Sequence, residues 1–187
     1  MNICLIGYGK MGHEIEKAAL ERGHSIHLII DINNTEDLKS EKFKESDVAI
    51  EFTKPDTVMD NLTACFDTGV PVITGTTGWH ENLNQVIEEC YSKNQALFYA
   101  SNFSIGVNIF FALNKYLAEI MNSFEQYNVS ISETHHTQKL DAPSGTAINL
   151  ADILIETLNQ KESWILGDNA SSSEIAIEAK REGDVKG

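Results

Sequence analysis

Asn2-Ile3-Cys4-Leu5-Ile6-Gly7-Tyr8-Gly9-Lys10-Met11-Gly12 is the stretch that decides how the first half of this chain folds. Ile3 to Ile6 is a short apolar run, the pattern of a strand buried on both faces. Met11 to Arg22 then repeats at helical spacing, with Met11, Ile15, Ala18 and Ala19 on one face and Gly23 as a C-terminal stop. Between them lies a G-x-G-x-x-G. In a strand-turn-helix the first glycine makes the tight turn, the second lets backbone approach a pyrophosphate, and the third allows close helix packing. The helix N-terminus adds free N–H groups and a partial positive charge. A plain glycine-rich turn fits this motif equally well when it stands alone. Asp31 adds to it: this acid ends the next apolar run, 19 residues after Gly12, where a carboxylate can bind ribose hydroxyls. Gly7, Tyr8, Gly9, Lys10, Met11, Gly12 and Asp31 are therefore the candidate dinucleotide-binding residues.

Moving outward, further strands are predicted over Ser25–Asp31, Asp47–Phe52, Pro71–Thr74 and Ala96–Ala100. Pro55 suits the first turn of a helix, and another helix is expected near Glu81–Tyr91. Strands alternating with helices imply right-handed crossovers and a doubly wound, mostly parallel α/β sheet of the Rossmann type. Gly75-Thr76-Thr77-Gly78 and Ala100-Ser101-Asn102-Phe103 each follow a predicted strand. Loops in that position line the ligand crevice of an open parallel sheet, although plain connecting loops would look the same.

The pattern changes after Phe103. Val107–Met121 reads as a helix with Phe110, Leu113, Leu117 and Ile120 facing inward. Tyr127, Val129 and Ile131 alternate with polar residues, as in a strand with one wet face. Ser144–Leu158 reads as a helix, and Ser173–Arg181 alternates again. These features predict two domains, residues 1–103 and 104–187. The second is an α+β domain with an open, partly antiparallel, mixed sheet, and about 80 residues is thin for an independent core.

The chain has 187 residues and a net charge of −14, which argues against nucleic acid or an anionic membrane as a partner. An anionic ligand would need positive groups collected locally. Cys4, Cys65 and Cys90 are widely spaced, with no CxxC pair, so neither a zinc ribbon nor a redox pair is indicated. An odd cysteine count and no secretion signal fit a reducing cytoplasm. The apolar run at Ile3–Ile6 is far too short for a signal peptide or membrane span.

Chemistry concentrates in Glu133-Thr134-His135-His136-Thr137-Gln138-Lys139-Leu140-Asp141-Ala142-Pro143-Ser144-Gly145-Thr146-Ala147. On a strand His135 and His136 point to opposite faces, so they would not chelate one metal together, and no metal site is expected. Histidine suits proton transfer near neutral pH, and Lys139 can place positive charge near an anion. Pro143-Ser144 marks a helix start, with Ser144 or Thr146 as cap. The N–H groups of Gly145 and Thr146 could hold a carboxylate. Surface histidines and a merely structural cap remain an equal reading of these residues.

This stretch resembles the signature of the dihydrodipicolinate reductase family, E-x-H-H-x-x-K-x-D-A-P-S-G-T-A, at every fixed position. The resemblance extends to Gly7–Gly12, Asp47–Thr53, Gly75–Gly78, Ala100–Asn108 and Arg181–Val185. It implies an NAD(P)H-dependent reductase acting on a dihydrodipicolinate-type dicarboxylate in the diaminopimelate route to lysine. By resemblance His135 is the acid/base residue and Lys139 the proton donor, while His136, Gly145 and Thr146 bind substrate. Gly75, Thr76, Thr77, Ala100, Ser101, Asn102 and Phe103 match backbone contacts to the cofactor. Family members assemble as homotetramers through the second sheet and usually continue well beyond this length, so a C-terminally shortened chain is expected. The glycine loop is one residue shorter than in many members. NADH is the expected cofactor over NADPH, since Asp31 would repel a 2′-phosphate and Ile32-Asn33-Asn34 offers no cation. Another two-domain dehydrogenase and a nucleotide-sensing module without chemistry are the rival readings.

Overall fold

The computed structural model describes residues 1–185. They form two compact units, one from Met1 to Asn102 and one from Phe103 onward.

The first unit runs β1 (Asn2–Ile6), α1 (Lys10–Glu21), β2 (Ser25–Ile30), a short α2 (Glu41–Lys44), β3 (Val48–Glu51), α3 (Pro55–Thr68), β4 (Val72–Thr74), α4 (Leu83–Ser92) and β5 (Leu97–Tyr99). The strands lie in the order β2-β1-β3-β4-β5, all parallel. Alternation along β1 explains why both faces are covered. Cys4 and Ile6 join Val58, Leu62, Cys65 and Phe66 of α3 on one side. Ile3 and Leu5 meet Ala19 and Ile15 of α1 on the other. Pro55 occupies the first turn of α3, where its missing N–H has no intrahelical partner in any case. The strand order reverses direction between β1 and β3. That switch point parts the loops beyond the strands' carboxyl ends and opens a crevice there.

The second unit runs α5 (Ile105–Met121), β6 (Ser130–His135), α6 (Gly145–Thr157), β7 (Ser163–Leu166) and β8 (Glu174–Arg181). The sheet order is β6-β8-β7. The core forms where α6 packs on the central strand: Ala147 and Ala151 meet Ile177, while Leu154 and Leu158 meet Ile175 together with Ala118 of α5.

Two expectations are corrected here. The sheet is not partly antiparallel: both pairings are parallel. Polar–apolar alternation reports one wet face and carries no information about strand direction. The strand β7 also escaped the sequence reading. At four residues it spans only about 13 Å, so the seven residues from Gly167 to Ser173 suffice to bring the chain back to its start.

The second correction concerns α5. Phe110, Leu113, Leu117 and Ile120 do not face inward; they are 53%, 58%, 59% and 44% exposed. The helix instead turns a polar and small-residue stripe toward α6. Asn114 Nδ2 donates to the Leu150 carbonyl at 3.1 Å, Ala118 is 2% exposed, and Asn122 Nδ2 donates to the Thr157 carbonyl at 2.7 Å. Side-chain amides satisfy backbone carbonyls of the neighbouring helix, and the small Ala118 permits the close approach. Periodicity shows the wide apolar face but not which face a neighbour takes.

Ala118→Leu should therefore cost about 1–3 kcal/mol by overpacking, whereas Leu117→Gln should change stability by less than about 0.5 kcal/mol. Urea unfolding of the two variants checks this; a larger loss for Leu117→Gln would reverse the assignment of faces.

Candidate active site

In the first unit the loops after β1, β3 and β4 meet around Phe52. Gly7 has φ +92°, and a Cβ there would lie 2.1 Å from the Phe52 carbonyl oxygen. A Cβ on Gly75 would lie 2.2 Å from the Phe52 ring, and one on Gly12 would lie 2.5 Å from the Gly7 carbonyl oxygen. These three glycines are required by packing. Gly9 differs: a Cβ there meets nothing within 4 Å. It sits at the N-cap of α1 and makes no side-chain cap, so the first N–H groups of the helix keep their donor capacity. An open, cap-free helix start fits an anionic phosphate group.

Two cavities flank this point. One, of about 430 Å³, holds Gly7, Tyr8, Gly9, Asp31, Lys54 and Thr57. The other, of about 370 Å³, holds Lys10, Met11, Gly75, Thr76 and Thr77. Both include Gly9, Phe52 and Thr53. The structure thus brings Gly7, Tyr8, Gly9, Lys10, Met11, Asp31, Gly75, Thr76 and Thr77 to one edge of the sheet. Gly12 supports them from beneath. Ala100, Ser101 and Asn102 follow β5 at the same sheet edge but line neither cavity, and Phe103 belongs to the second unit. Thr53 and Lys54 were not among the residues singled out by sequence. The signal was available in their position directly after a strand at the switch point.

A buried acid ties the loops after β3 and β4 together. Glu51, fully buried at the end of β3, accepts hydrogen bonds from Thr53, from Thr74 at 2.5 Å, from Thr76 at 3.1 Å and from Asn61 at 3.4 Å. Thr76 Oγ1 in turn accepts from the Thr53 N–H at 2.8 Å. The Thr76 side chain is thereby engaged inside the protein, and its carbonyl accepts the Trp79 indole N–H at 2.6 Å.

In the second unit β6 carries Glu133 and His135 two residues apart, hence on one side of the strand. Glu133 Oε2 lies 3.2 Å from His135 Nε2, and Glu133 Oε1 accepts the Ser144 N–H at 2.9 Å. Arg181 on β8 is in register with His135, and its guanidinium stands 3.8 Å from Glu133 Oε1. Burial raises the Glu133 carboxyl, but hydrogen bonds from Ser144 and His135 outweigh it and hold the group below its ordinary range. Ser144 is the cap of α6: its Oγ accepts the Ala147 N–H at 3.2 Å, and Thr146 is not the cap. Gly145 and Thr146 occupy the first two helical positions, where N–H groups have no intrahelical acceptor. A Cβ on Gly145 would meet nothing within 4 Å.

Lys139 Nζ lies 2.7 Å from both carboxylate oxygens of Asp141. The hydrogen bond from Lys139 holds the Asp141 carboxyl below its usual range. Arg181 fixes this loop by donating to the carbonyls of Lys139, at 3.3 Å, and Asp141. His136 lies just beyond the strand, half-buried, and its carbonyl accepts the Lys139 N–H at 3.1 Å. Among the described residues no group of three or more His, Cys, Asp or Glu side chains could hold a metal ion, and no helix is long and apolar enough to cross a membrane.

Comparison with known proteins agrees with this geometry. The family model for the dihydrodipicolinate reductase N-terminus matches residues 1–103, and that for its C-terminus matches residues 106–187. A protein named 4-hydroxy-tetrahydrodipicolinate reductase from Christiangramia forsetii is 46% identical, with all of this chain and 77% of the relative covered. One of the same name from Methanosarcina mazei is 39% identical over 92% of this chain and 66% of the relative. The chain thus spans 66–77% of these relatives' length. Among solved structures, dipicolinate-bound dihydrodipicolinate reductase from Paenisporosarcina sp. TG-14 superposes with a TM-score of 0.69. That match is 23% identical and covers 98% of this chain and 79% of the other, a likeness of fold. With both halves matched, and the signature from Glu133 to Ala147 set on a strand end and a helix start, the chain belongs to the dihydrodipicolinate reductase family.

Proposed function

We propose that this chain reduces 4-hydroxy-tetrahydrodipicolinate to tetrahydrodipicolinate with a reduced pyridine nucleotide, in the diaminopimelate route to lysine. The names of its relatives support the reaction, and the dipicolinate-bound structural relative supports a small dicarboxylate as substrate. One observation carries the reading. His135, Lys139 and the open start of α6 come from a single strand-loop-helix, so proton transfer and carboxylate binding share one scaffold. The reading extends to a cytoplasmic homotetramer, and three buried free cysteines suit a reducing compartment.

The residues divide the work. Gly7, Gly9 and the N–H groups at the start of α1 hold the pyrophosphate, Asp31 the ribose hydroxyls, and Gly75–Thr77 and Ala100–Phe103 the remainder of the cofactor through backbone. When bound, the reduced nicotinamide supplies hydride. The substrate's 4-hydroxyl group leaves as water to give the dihydro compound; hydride addition to that compound then leaves negative charge, and His135 and Lys139 are the candidates to supply the one compensating proton. Gly145, Thr146 and His136 hold the carboxylates. In a chain of net charge −14, neutral N–H donors at a helix start attract an anion without a formal charge.

Turnover is measured by NADH oxidation, with substrate generated by the preceding synthase. His135→Gln and Lys139→Ala should each lower kcat by about 10²–10⁴-fold and spare NADH affinity. Gly145→Val, whose side chain enters open space, should raise KM and weaken pyridine-2,6-dicarboxylate binding at unchanged melting temperature. Full turnover in either proton-transfer variant would remove that residue from the mechanism. NADH binding with no turnover in the wild type would favour a nucleotide-sensing role instead.

Gly9 and Gly7 separate access from packing. Gly9→Val should fold normally yet bind NADH at least about tenfold more weakly, because its side chain fills the approach to the helix start. Gly7→Ala should lower the melting temperature itself. Equal NADH affinity in wild type and Gly9→Val would place the pyrophosphate elsewhere.

Asp31 favours NADH, since a 2′-phosphate would face its carboxylate. Lys54, in the same cavity, is the opposing cation; Lys10 lines the neighbouring one. Dissociation constants should be lower for NADH than for NADPH, and Lys54→Ala should weaken NADPH more than NADH. Tighter NADPH binding by the wild type would overturn the preference.

A further inference from the structure

We infer that Glu133 is a positioning residue for the reaction: it fixes His135 in the tautomer protonated on Nε2 and couples that ring to the start of α6. The inference rests on the role given to His135 above. Its basis is the split use of one carboxylate. Oε2 faces the imidazole Nε2 at 3.2 Å, and Oε1 takes the Ser144 N–H at 2.9 Å. The Glu133 side chain is 10% exposed and that of His135 is 19% exposed, so water competes little for either contact.

An ionised carboxylate only accepts hydrogen bonds. The ring nitrogen facing it therefore carries a proton, and Nδ1 is left to exchange a proton with a reacting group. A second partner that orients and stabilises a histidine is a recurrent element of proton-transfer sites, because an imidazolium formed in the reaction is met by a fixed negative charge. Two neighbouring cations are compatible with this arrangement. Arg181, opposite on β8, lies 3.8 Å from Oε1, while hydrogen bonds from Ser144 and His135 outweigh burial and hold the Glu133 carboxyl below its ordinary range. Lys139 is occupied by Asp141, 2.7 Å away, and does not compete for Glu133. The Ser144 contact has a second effect. The same carboxylate that orients the proton-transfer ring also anchors the residue whose next two N–H groups open the helix, so ring and carboxylate-binding groups keep a fixed relation.

Glu133→Gln tests this because it can keep one contact and invert the other. The amide oxygen can still accept from Ser144, while the amide NH₂ faces Nε2 and forces the proton to Nδ1. The expected result is a kcat lower by about 10²-fold, the low end for loss of a positioned proton-transfer group. KM, pyridine-2,6-dicarboxylate affinity and NADH affinity should change less than about threefold. The double variant Glu133→Gln/His135→Gln should be no slower than His135→Gln alone, since residues acting as a unit are not additive. Full turnover in Glu133→Gln beside a slow His135→Gln would overturn the positioning role and leave the proposed function standing. Multiplicative losses in the double variant would also overturn it, by placing Glu133's effect elsewhere. Full turnover in His135→Gln would overturn both. Should Glu133→Gln fold poorly, ¹⁵N chemical shifts of the His135 ring in the wild type decide the matter: a neutral ring protonated on Nε2 supports the inference, and one protonated on Nδ1 overturns it.

Discussion

The edge of the first sheet depends on one crowded residue. Phe52 leaves β3 at the point where strand order reverses, and the loops after β1 and β4 close onto it from either side. Its carbonyl leaves no room for a side chain at position 7, and its ring leaves none at position 75. Gly12 is bound into the same packing through the Gly7 carbonyl. The glycines therefore fall into two kinds. Gly7, Gly12 and Gly75 are glycine because protein fills the space. Gly9 and Gly145 have empty space where a side chain would be, and each stands at the start of a helix.

That second kind answers the electrostatic difficulty of an acidic chain with anionic ligands. In the second unit the positive side chains near the site are few and already engaged: Lys139 by Asp141, and Arg181 by loop carbonyls. Helix starts supply what those cations do not. Backbone N–H groups need no counter-ion, keep their direction, and cannot be neutralised by a neighbouring acid. Under the proposed function the same device serves in both units, with a bare glycine at each helix start assigned an anion.

Much of this was legible in the sequence, for identifiable reasons. The central strands β1 and β3 announce themselves by apolar runs, because a strand covered on both faces has no polar alternation to confuse the pattern. Pro55 and Ser144 mark helix starts through backbone chemistry that is local. The parts that were not legible are those decided at a distance. The inward face of α5 is the stripe of Asn114, Ala118 and Asn122, chosen by the carbonyls of α6, and hydrophobicity pointed the opposite way. Parallel pairing of β6, β8 and β7 depends on chain return paths that alternation cannot encode. Thr53 and Lys54 reach the cavity edge only because β3 lies beside β1, a fact of strand order. Glu133 was visible in the motif, but its two-sided use required the positions of Ser144 and His135 together.

Glu51 gives the cofactor edge a mechanical character. Its carboxyl group is hydrogen-bonded to Thr53 beyond β3, to Thr74 and Thr76 in and beyond β4, and to Asn61 on α3. No one of these segments can swing outward without stripping partners from a group that has no water to replace them. The two lips consequently breathe in concert or not at all. Their amides belong to a single cooperative opening unit, and a nucleotide arriving at this edge meets a preset mould instead of a pair of independently fluctuating flaps.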